Sequence, residues 1–462
     1  MTVMTSTQPS ENNVVENNIQ DNSVVNEVEY IPESVDMFKK FMYQTQEIRR
    51  KIVSLALADA EIDLTLLEEL KGTLQQLTDH HTISFQREMK VNATRKFMLN
   101  LKDEISGLQK DITYFEKLNQ KKNELNLSSL MEARKFVELS EILAPYHPVS
   151  PELFFKELEF CTDFLRAFVR SGKDSNKPIM VTDWDGTMKD YCSQYATNLQ
   201  PIYSAIGMAK FAQQFTRLTA VLTAGPLRGP GILDLTSLPI DGPILFSGSW
   251  GREWWLKGHR LVHDHDIPYE GTDALNRFND EMQKLLSDSE YCQFDLVGSG
   301  VQWKVDRLTL GVQTVCGHVH PELSFRYQEE IRERMHRVDP NEEILHFDPS
   351  TELEVEVVVH NDGTVWNKAD GVEKVVNTMM DTLDPPGTVL ICGDTASDLP
   401  MVRYAVEKNP KGSMSLFVTM KEDLKHRVRE LIPDETRTCF VSCPDVIHAA
   451  MDRILKEDFN MN

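Results

Sequence analysis

The sequence predicts an α/β protein with a parallel-sheet core, an α+β domain inserted into it, and an all-helical domain in front. Three observations predict this. From about Val35 to Ser171 apolar residues recur at three- and four-residue spacing, with no proline between Val35 and Pro145. After about residue 176, short apolar runs alternate with helix-like stretches. Between about Arg252 and Glu356 that alternation gives way to strand-like pieces flanking longer helical ones. At roughly 150 residues per domain, a chain of 462 residues has room for about three such units.

The elements follow in order. Residues 1–34 are rich in Asn, Glu and Ser, with neither a basic start nor an apolar run, so they predict a disordered tail and no signal peptide. Val35, Phe38, Phe41, Met42, Thr45, Ile48 and Ile52 form one apolar stripe of a helix. Phe97, Leu99, Leu101, Ile105, Leu108, Ile112 and Phe115 predict a second long helix, and Leu130–Ile142 and Leu153–Val169 further amphipathic ones. Such stripes bury themselves in a helical bundle or antiparallel coiled-coil hairpin over 35–171, either as a scaffold or as a surface for self-association or a protein partner.

A polar, turn-rich linker, Ser171-Gly-Lys-Asp-Ser-Asn-Lys-Pro, closes that region. The apolar runs Ile179–Thr182, Leu218–Leu222, Ile244–Phe246 and Val389–Cys392 then predict strands, with helices at Ser204–Arg217 and Val372–Leu383. In the insertion, Val301–Leu310 and Leu353–Val359 read as strands, and Asp273–Leu286 and Pro321–Val338 as helices. The expected boundaries are 176–251 and 356–462 for the two parts of the core and 252–355 for the insertion.

Composition excludes some functions. With 49 Lys and Arg against 72 Asp and Glu, the formal charge is −23, the wrong sign for a nucleic-acid backbone. No apolar run approaches the roughly 20 residues of a membrane span. Seven scattered cysteines without a C-x-x-C pair suggest reduced, buried thiols in the cytoplasm. His318 and His320, and His259, His263 and His265, lack a matched set of metal-ligand spacings and read as surface or packing residues.

Four segments carry chemistry, three of them at strand ends, where ligands collect in open α/β sheets. In Asp183-Trp184-Asp185-Gly186-Thr187, two carboxylates can face one phosphate if the chain turns at Gly186. Asp183 can attack phosphorus while Asp185 protonates the leaving oxygen and later activates water. Thr223, in Val221-Leu222-Thr223-Ala224-Gly225, offers a hydroxyl and nearby N–H groups. Lys368, after Asn367, supplies a fixed cation. Gly393-Asp394-Thr395-Ala396-Ser397-Asp398 adds carboxylates suited to magnesium, which prefers oxygen ligands.

D-x-D-G-T, a strand-end Thr, a Lys and G-D-x-x-x-D, in that order over roughly residues 176–460, resemble the motif set of the haloacid dehalogenase-like (HAD) phosphatases. The resemblance implies a Rossmann-like HAD core. It makes Asp183 the nucleophile, Asp185 the acid/base, and Thr223 and Lys368 the phosphoryl binders. Mg²⁺ is the implied cofactor, with Asp183, Asp185, Asp394 and Asp398 as its expected ligands. Only 223 − 187 = 36 positions separate the first two motifs, against 368 − 223 = 145 between Thr223 and Lys368. The cap must therefore lie in the second interval, the arrangement called a C2 cap.

Several cap segments resemble trehalose-6-phosphate phosphatases, and the helical extension resembles their nematode branch. Gly248-Ser-Trp-Gly-Arg-Glu-Trp-Trp is similar to their G-x-x-G-x-E-x-W stretch. Gln302-Trp303-Lys304-Val305-Asp306-Arg307-Leu308-Thr309-Leu310 is similar to their Lys-bearing strand, and Glu352–Val359 to their Glu-bearing one. The resemblance implies sugar contacts at Gln302, Trp303, Lys304 and Glu356. The chain departs from the family in having Gly311-Val312-Gln313 in place of H-Y-R, Ala369-Asp370-Gly371 after the motif Lys, and Trp184 where Tyr is common. Expected, then, is Mg-dependent hydrolysis of trehalose 6-phosphate through an aspartyl-phosphate. The alternatives are another sugar phosphate, a phosphomutase, or a helical scaffold with an inert phosphatase domain.

Overall fold

The computed structural model describes residues 34–78, 85–91, 95–172, 177–287, 290–315, 317–349, 351–360, 366–378 and 387–459. Residues 1–33 of the expected tail lie outside these, as do much of the linker at 173–176 and the end of the helix expected at Val372–Leu383.

The N-terminal region is a bundle of α1 (Val35–Leu57), α2 (Thr65–Leu77), α3 (Lys102–Glu124), α4 (Leu130–Ala133), α5 (Leu139–Leu143) and α6 (Pro151–Arg170). The Ser34 hydroxyl accepts from the N–H of Met37 and starts α1, whose stripe Phe38, Met42, Ile52 and Val53 is buried. Ser150 does the same for α6, with Pro151 in its first turn. Two expectations fail here. Residues 86–100 form a hairpin of β1 (Gln86–Lys90) and β2 (Lys96–Asn100), with Met89 opposite Phe97. The apolar period there is two, because Met89 and Leu99 are buried while Met98 is exposed, so the helix begins only at Lys102. The single helix expected over Leu130–Ile142 is broken at Val137, whose backbone is extended.

The bundle is welded to the core. Arg49 Nε donates to Asp111 Oδ2 at 2.8 Å, both side chains buried, and Asp111 Oδ1 accepts the N–H of Ile202 at 2.8 Å. An acid of the bundle thereby caps the first helix of the core. Phe38, Phe115 and Leu118 share one apolar cluster with Ile206, Met208 and Phe211.

The core holds β3 (Ile179–Thr182), α7 (Ile202–Phe215), β4 (Leu218–Leu222), α8 (Ile232–Leu235), β5 (Leu245–Gly248), β6 (Glu253–Leu256) and β7 (His259–Val262). After the insertion come α11 (Lys368–Thr378), β12 (Val389–Gly393), α12 (Leu399–Lys408), β13 (Ser413–Val418), α13 (Glu422–Leu431), β14 (Thr438–Val441) and α14 (Pro444–Phe459). The sheet order is β14-β13-β12-β3-β4-β5-β6-β7, parallel from β14 to β5. β3, β4, β5, β12 and β13 are buried throughout, which is why they read as continuous apolar runs. The chain leaves β3 toward β4 on one side and returns at β12 on the other, so the strand order reverses at the carboxyl end of β3.

The inserted domain contains α9 (Tyr269–Ser287), β8 (Val301–Trp303), β9 (Arg307–Gly311), α10 (Pro321–Val338), β10 (Leu345–Asp348) and β11 (Glu354–Val359). Its antiparallel sheet runs β10-β11-β9-β8 and shares one apolar cluster with both helices. Both expected boundaries need correction. β6 and β7, beyond 252, pair antiparallel onto β5 and extend the core sheet, while β11 keeps the chain in the cap sheet to Val359, past 355. No helix among the described residues is long and apolar enough to cross a membrane.

Candidate active site

The β3–β12 pairing continues one step past β3, where the Asp183 N–H donates to the Cys392 carbonyl at 3.0 Å. This brings Asp183 beside Asp394, which follows β12. The Trp184 carbonyl then accepts the N–H groups of Thr187, Met188 and Lys189, closing a tight turn. Gly186 has a φ of +84°, and a Cβ there would meet Asp394 Oδ2 at 2.2 Å, so only glycine fits.

Lys368 opens α11 and places its Nζ 2.6 Å from Asp183 Oδ1 and 2.5 Å from Asp398 Oδ1. The other Asp183 oxygen accepts the Thr187 hydroxyl at 2.9 Å. Asp398 Oδ2 accepts the N–H groups of Asp394 and Thr395 at 2.9 and 3.0 Å, which fixes that carboxylate. Thr223, just past β4, is buried. Its N–H donates to the Ser247 carbonyl, and its Oγ1 accepts the Gly225 N–H at 3.1 Å. The structure therefore brings Asp183, Lys368, Asp394 and Asp398 into direct contact or close reach, with Asp185 and Thr223 on the flanking turns.

Carboxylates outnumber cations in this cluster. Burial raises the pKa of Asp183, Asp398 and Asp185 add to that, and Lys368 opposes it. Asp394 is likewise raised, by burial and then by Asp183 and Asp398. Burial would lower Lys368, but Asp183 and Asp398 outweigh it and raise its pKa. Oxygen atoms of Asp183, Asp394 and Asp398 all lie within 4.8 Å of one another. That hard-oxygen set with excess negative charge fits a magnesium ion. The carboxylate of Asp185 is not part of the set, although the sequence counted it as a ligand. Its Oδ1 is buried without a partner among the described residues, and burial raises its pKa against the pull of Lys189 and Lys368.

The expected sugar contacts are in the cap. Lys304 Nζ is 3.0 Å from Glu356 Oε1, which also accepts the Thr309 hydroxyl at 2.8 Å. Arg307 donates to Glu356 Oε2 at 2.8 Å and to Asp306, and Arg252 ties Asp306 to Asp266. Burial would raise the pKa of Glu356, but Lys304 and Arg307 overcome it and hold it at about 2. Gln302 is buried. Trp303 is 38% exposed and lines a cavity of about 290 Å³ together with Lys39 of the bundle, Pro230 of the core, and Asp295 and Ser299 of the cap.

Sequence reasoning missed Arg307, Asp306, Arg252 and Lys189. The first two lie in the quoted Lys304 segment, so their charge was visible but their pairing with Glu356 was not. Lys189 is buried, its amine has no partner among the described residues, and burial pushes its pKa down to about 8. His320 caps α10 and His263 stacks on Trp366. The six described cysteines are buried, while Cys316 lies outside the described residues.

Comparison with known proteins finds relatives of both the bundle and the core. The family described as "Trehalose-6-phosphate phosphatase, C-terminal" matches residues 180–447. "Trehalose-6-phosphate phosphatase N-terminal helical bundle domain" matches residues 34–132. A trehalose-phosphatase of Brugia malayi is 58% identical over 92% of this chain and 86% of its own length. Those of Caenorhabditis briggsae and Caenorhabditis elegans are 46% identical over 92% of this chain, covering 98% and 96% of theirs.

Proposed function

We infer the activity from one premise: the chain belongs to the trehalose-6-phosphate phosphatase family. On that premise it hydrolyses trehalose 6-phosphate to trehalose and inorganic phosphate. The observation that carries the chemistry is the position of Lys368, with its ammonium between Asp183 and Asp398 at the carboxyl ends of β3 and β12.

Asp183 attacks phosphorus with one carboxylate oxygen as the bond to the sugar oxygen breaks. The protonated Asp185 carboxyl gives its proton to that departing oxygen, and burial favours the protonated form it needs at the start. With the sugar gone, Asp185 takes a proton from water as the water oxygen attacks the aspartyl-phosphate. Inorganic phosphate leaves and Asp183 is restored. Lys368 holds Asp183 in line and balances the charge of the phosphoryl group, while Thr223 and the N–H groups beside it receive its oxygens. Asp183, Asp394 and Asp398 would hold Mg²⁺, which when bound supplies the positive charge this carboxylate-rich cluster lacks.

In the cap, Lys304 and Glu356 present charged hydrogen-bonding groups suited to sugar hydroxyls, and Gln302 and Trp303 stand on the same strand end. Buried cysteines with no C-x-x-C pair suit a reducing cytoplasm. Initial rates on trehalose 6-phosphate, glucose 6-phosphate and mannose 6-phosphate, with and without Mg²⁺, test the reading. Trehalose 6-phosphate should be turned over fastest and only with the metal; a faster hexose monophosphate overturns the choice of substrate.

A further inference from the structure

The turn that leads from the core toward the cap departs from ordinary backbone geometry. Ser249, Trp250 and Gly251 have φ of 50°, 57° and 90°, three successive residues in the left-handed region. Glycine enters that region freely, whereas a bulky residue there is strained. Its surroundings hold the turn in place. The Ser249 N–H donates to the Gly225 carbonyl at 2.7 Å and the Trp250 N–H to the Thr223 carbonyl at 3.1 Å. The Ser249 hydroxyl donates to Glu253 at 2.7 Å, and a Cβ on Gly251 would lie 2.2 Å from the Cα of Gly371 in α11. The strained turn is thus gripped by the Thr223 loop on one side and the Lys368 helix on the other.

The strain determines where the indole goes. The Trp250 ring centroid lies 5.8 Å from Lys368 Nζ and 5.5 Å from the guanidinium carbon of Arg307. One cation belongs to the phosphoryl site and the other to the cap cluster, so a single ring adjoins both. Its indole N–H is buried with no partner among the described residues. Trp184 and Trp254 also lack an indole partner, but their rings are wholly enclosed in the apolar clusters. Trp250 is only half-buried and stands between charges. If packing alone were required, a Leu or Phe would fill the space without an orphaned donor, and Asn or Gly would relieve the backbone.

We propose that Trp250 is a substrate-contact residue that favours a sugar phosphate over a small phosphate ester. Its indole N–H donates to a sugar hydroxyl oxygen, not a phosphoryl oxygen, of the sugar phosphate held between Lys368 and Arg307. The inference rests on Lys368 being the cation of the phosphoryl site. Trp250→Phe keeps a ring beside both cations and removes only the N–H and the second ring. In the full chain with Mg²⁺, its KM for trehalose 6-phosphate should rise about tenfold while kcat stays within about twofold. p-Nitrophenyl phosphate, which has no sugar, should be hydrolysed as by the wild type. An unchanged KM for trehalose 6-phosphate, or an equal loss on both substrates, overturns the proposal.

Trp250→Asn guards against misfolding, because Asn tolerates the left-handed backbone. It should unfold at the wild-type temperature or above and show the same selective rise in KM; a wild-type KM in this variant also overturns the proposal. Lys368→Met separates the two readings. Loss of p-nitrophenyl phosphate turnover upholds the phosphoryl site and leaves Trp250 to be judged on its own variants, whereas retained turnover removes the premise itself.

Discussion

The molecule contains two buried clusters of charge, and they are built on opposite principles. In the core, Asp183 and Asp398 hold the ammonium of Lys368 with the Asp394 carboxylate close by, and the pKa values of Asp183, Asp185 and Asp394 are raised. In the cap, Lys304, Arg307 and Arg252 meet Glu356, Asp306 and Asp266, and all three acids are lowered. Burial acts in the same direction on the acids of both sites, so the difference lies in the count of cations. A balanced cluster satisfies itself and stiffens the cap strands that carry it. An unbalanced one keeps an excess of carboxylate charge, and its oxygen atoms lie close enough together to suit a cation. Buried charge alone therefore does not mark a catalytic site, whereas uncompensated buried charge does.

The largest effect should come from breaking the core cluster at its nucleophile. Asp183→Asn keeps the shape and the Thr187 contact but cannot form the acyl-phosphate, so kcat should fall roughly 10⁴-fold. A variant that turned over normally in initial-rate assays would end the nucleophile assignment. Next in size is removal of the metal. Chelation should reduce turnover on the order of 10³-fold, and Mg²⁺ at a hundred times its Kd should stabilise the protein by about 2.7 kcal/mol. Thermal unfolding with and without Mg²⁺ reads that increment directly. It should persist in a cap variant such as Glu356→Gln and vanish in Asp398→Asn; the reverse pattern would place the ion in the cap and refute the contrast.

How much of this was legible in the sequence follows from the range of the interactions. The core motifs were readable because each is a run of contiguous residues at a strand end, where identity and order alone imply chemistry. The hairpin at 86–100 was not, because Phe97 and Leu99 fit the head of a helical stripe as well as an alternating strand. Only the burial of Met89 and Leu99, with Met98 exposed, decides between them. The strands β6 and β7 escaped for a related reason: their membership of the core sheet is set by pairing with β5, not by their own composition. In the cap, Lys304 and Glu356 were both singled out as sugar contacts. That they hold each other, with Arg307 and Thr309 completing the set, is a contact across more than fifty residues that no local pattern reports. The left-handed turn at Trp250 is likewise invisible in a sequence that places Trp where glycine or Asn would be easier.

The smallest effect discriminates between the clusters by pH. Glu356 is held at about 2 in the folded chain, against an ordinary glutamate value near 4.5, because Lys304 and Arg307 outweigh its burial. A carboxyl whose folded pKa lies below its unfolded one binds fewer protons folded than unfolded between the two values. Its stabilising contribution is therefore complete above about pH 4.5 and is lost as the pH falls toward 2. Over that window the wild type should lose about 3 kcal/mol through this residue. Glu356→Gln should already lack that contribution at pH 7, where it leaves Lys304 and Arg307 short of a counter-charge. Its stability should therefore approach that of the wild type as both are acidified. Urea unfolding of the two proteins at pH 7, 5 and 3 makes the comparison. Curves that stay parallel across the three values would mean that Glu356 is not held by its cations, and the distinction between a balanced cap and an unbalanced core would fall with it.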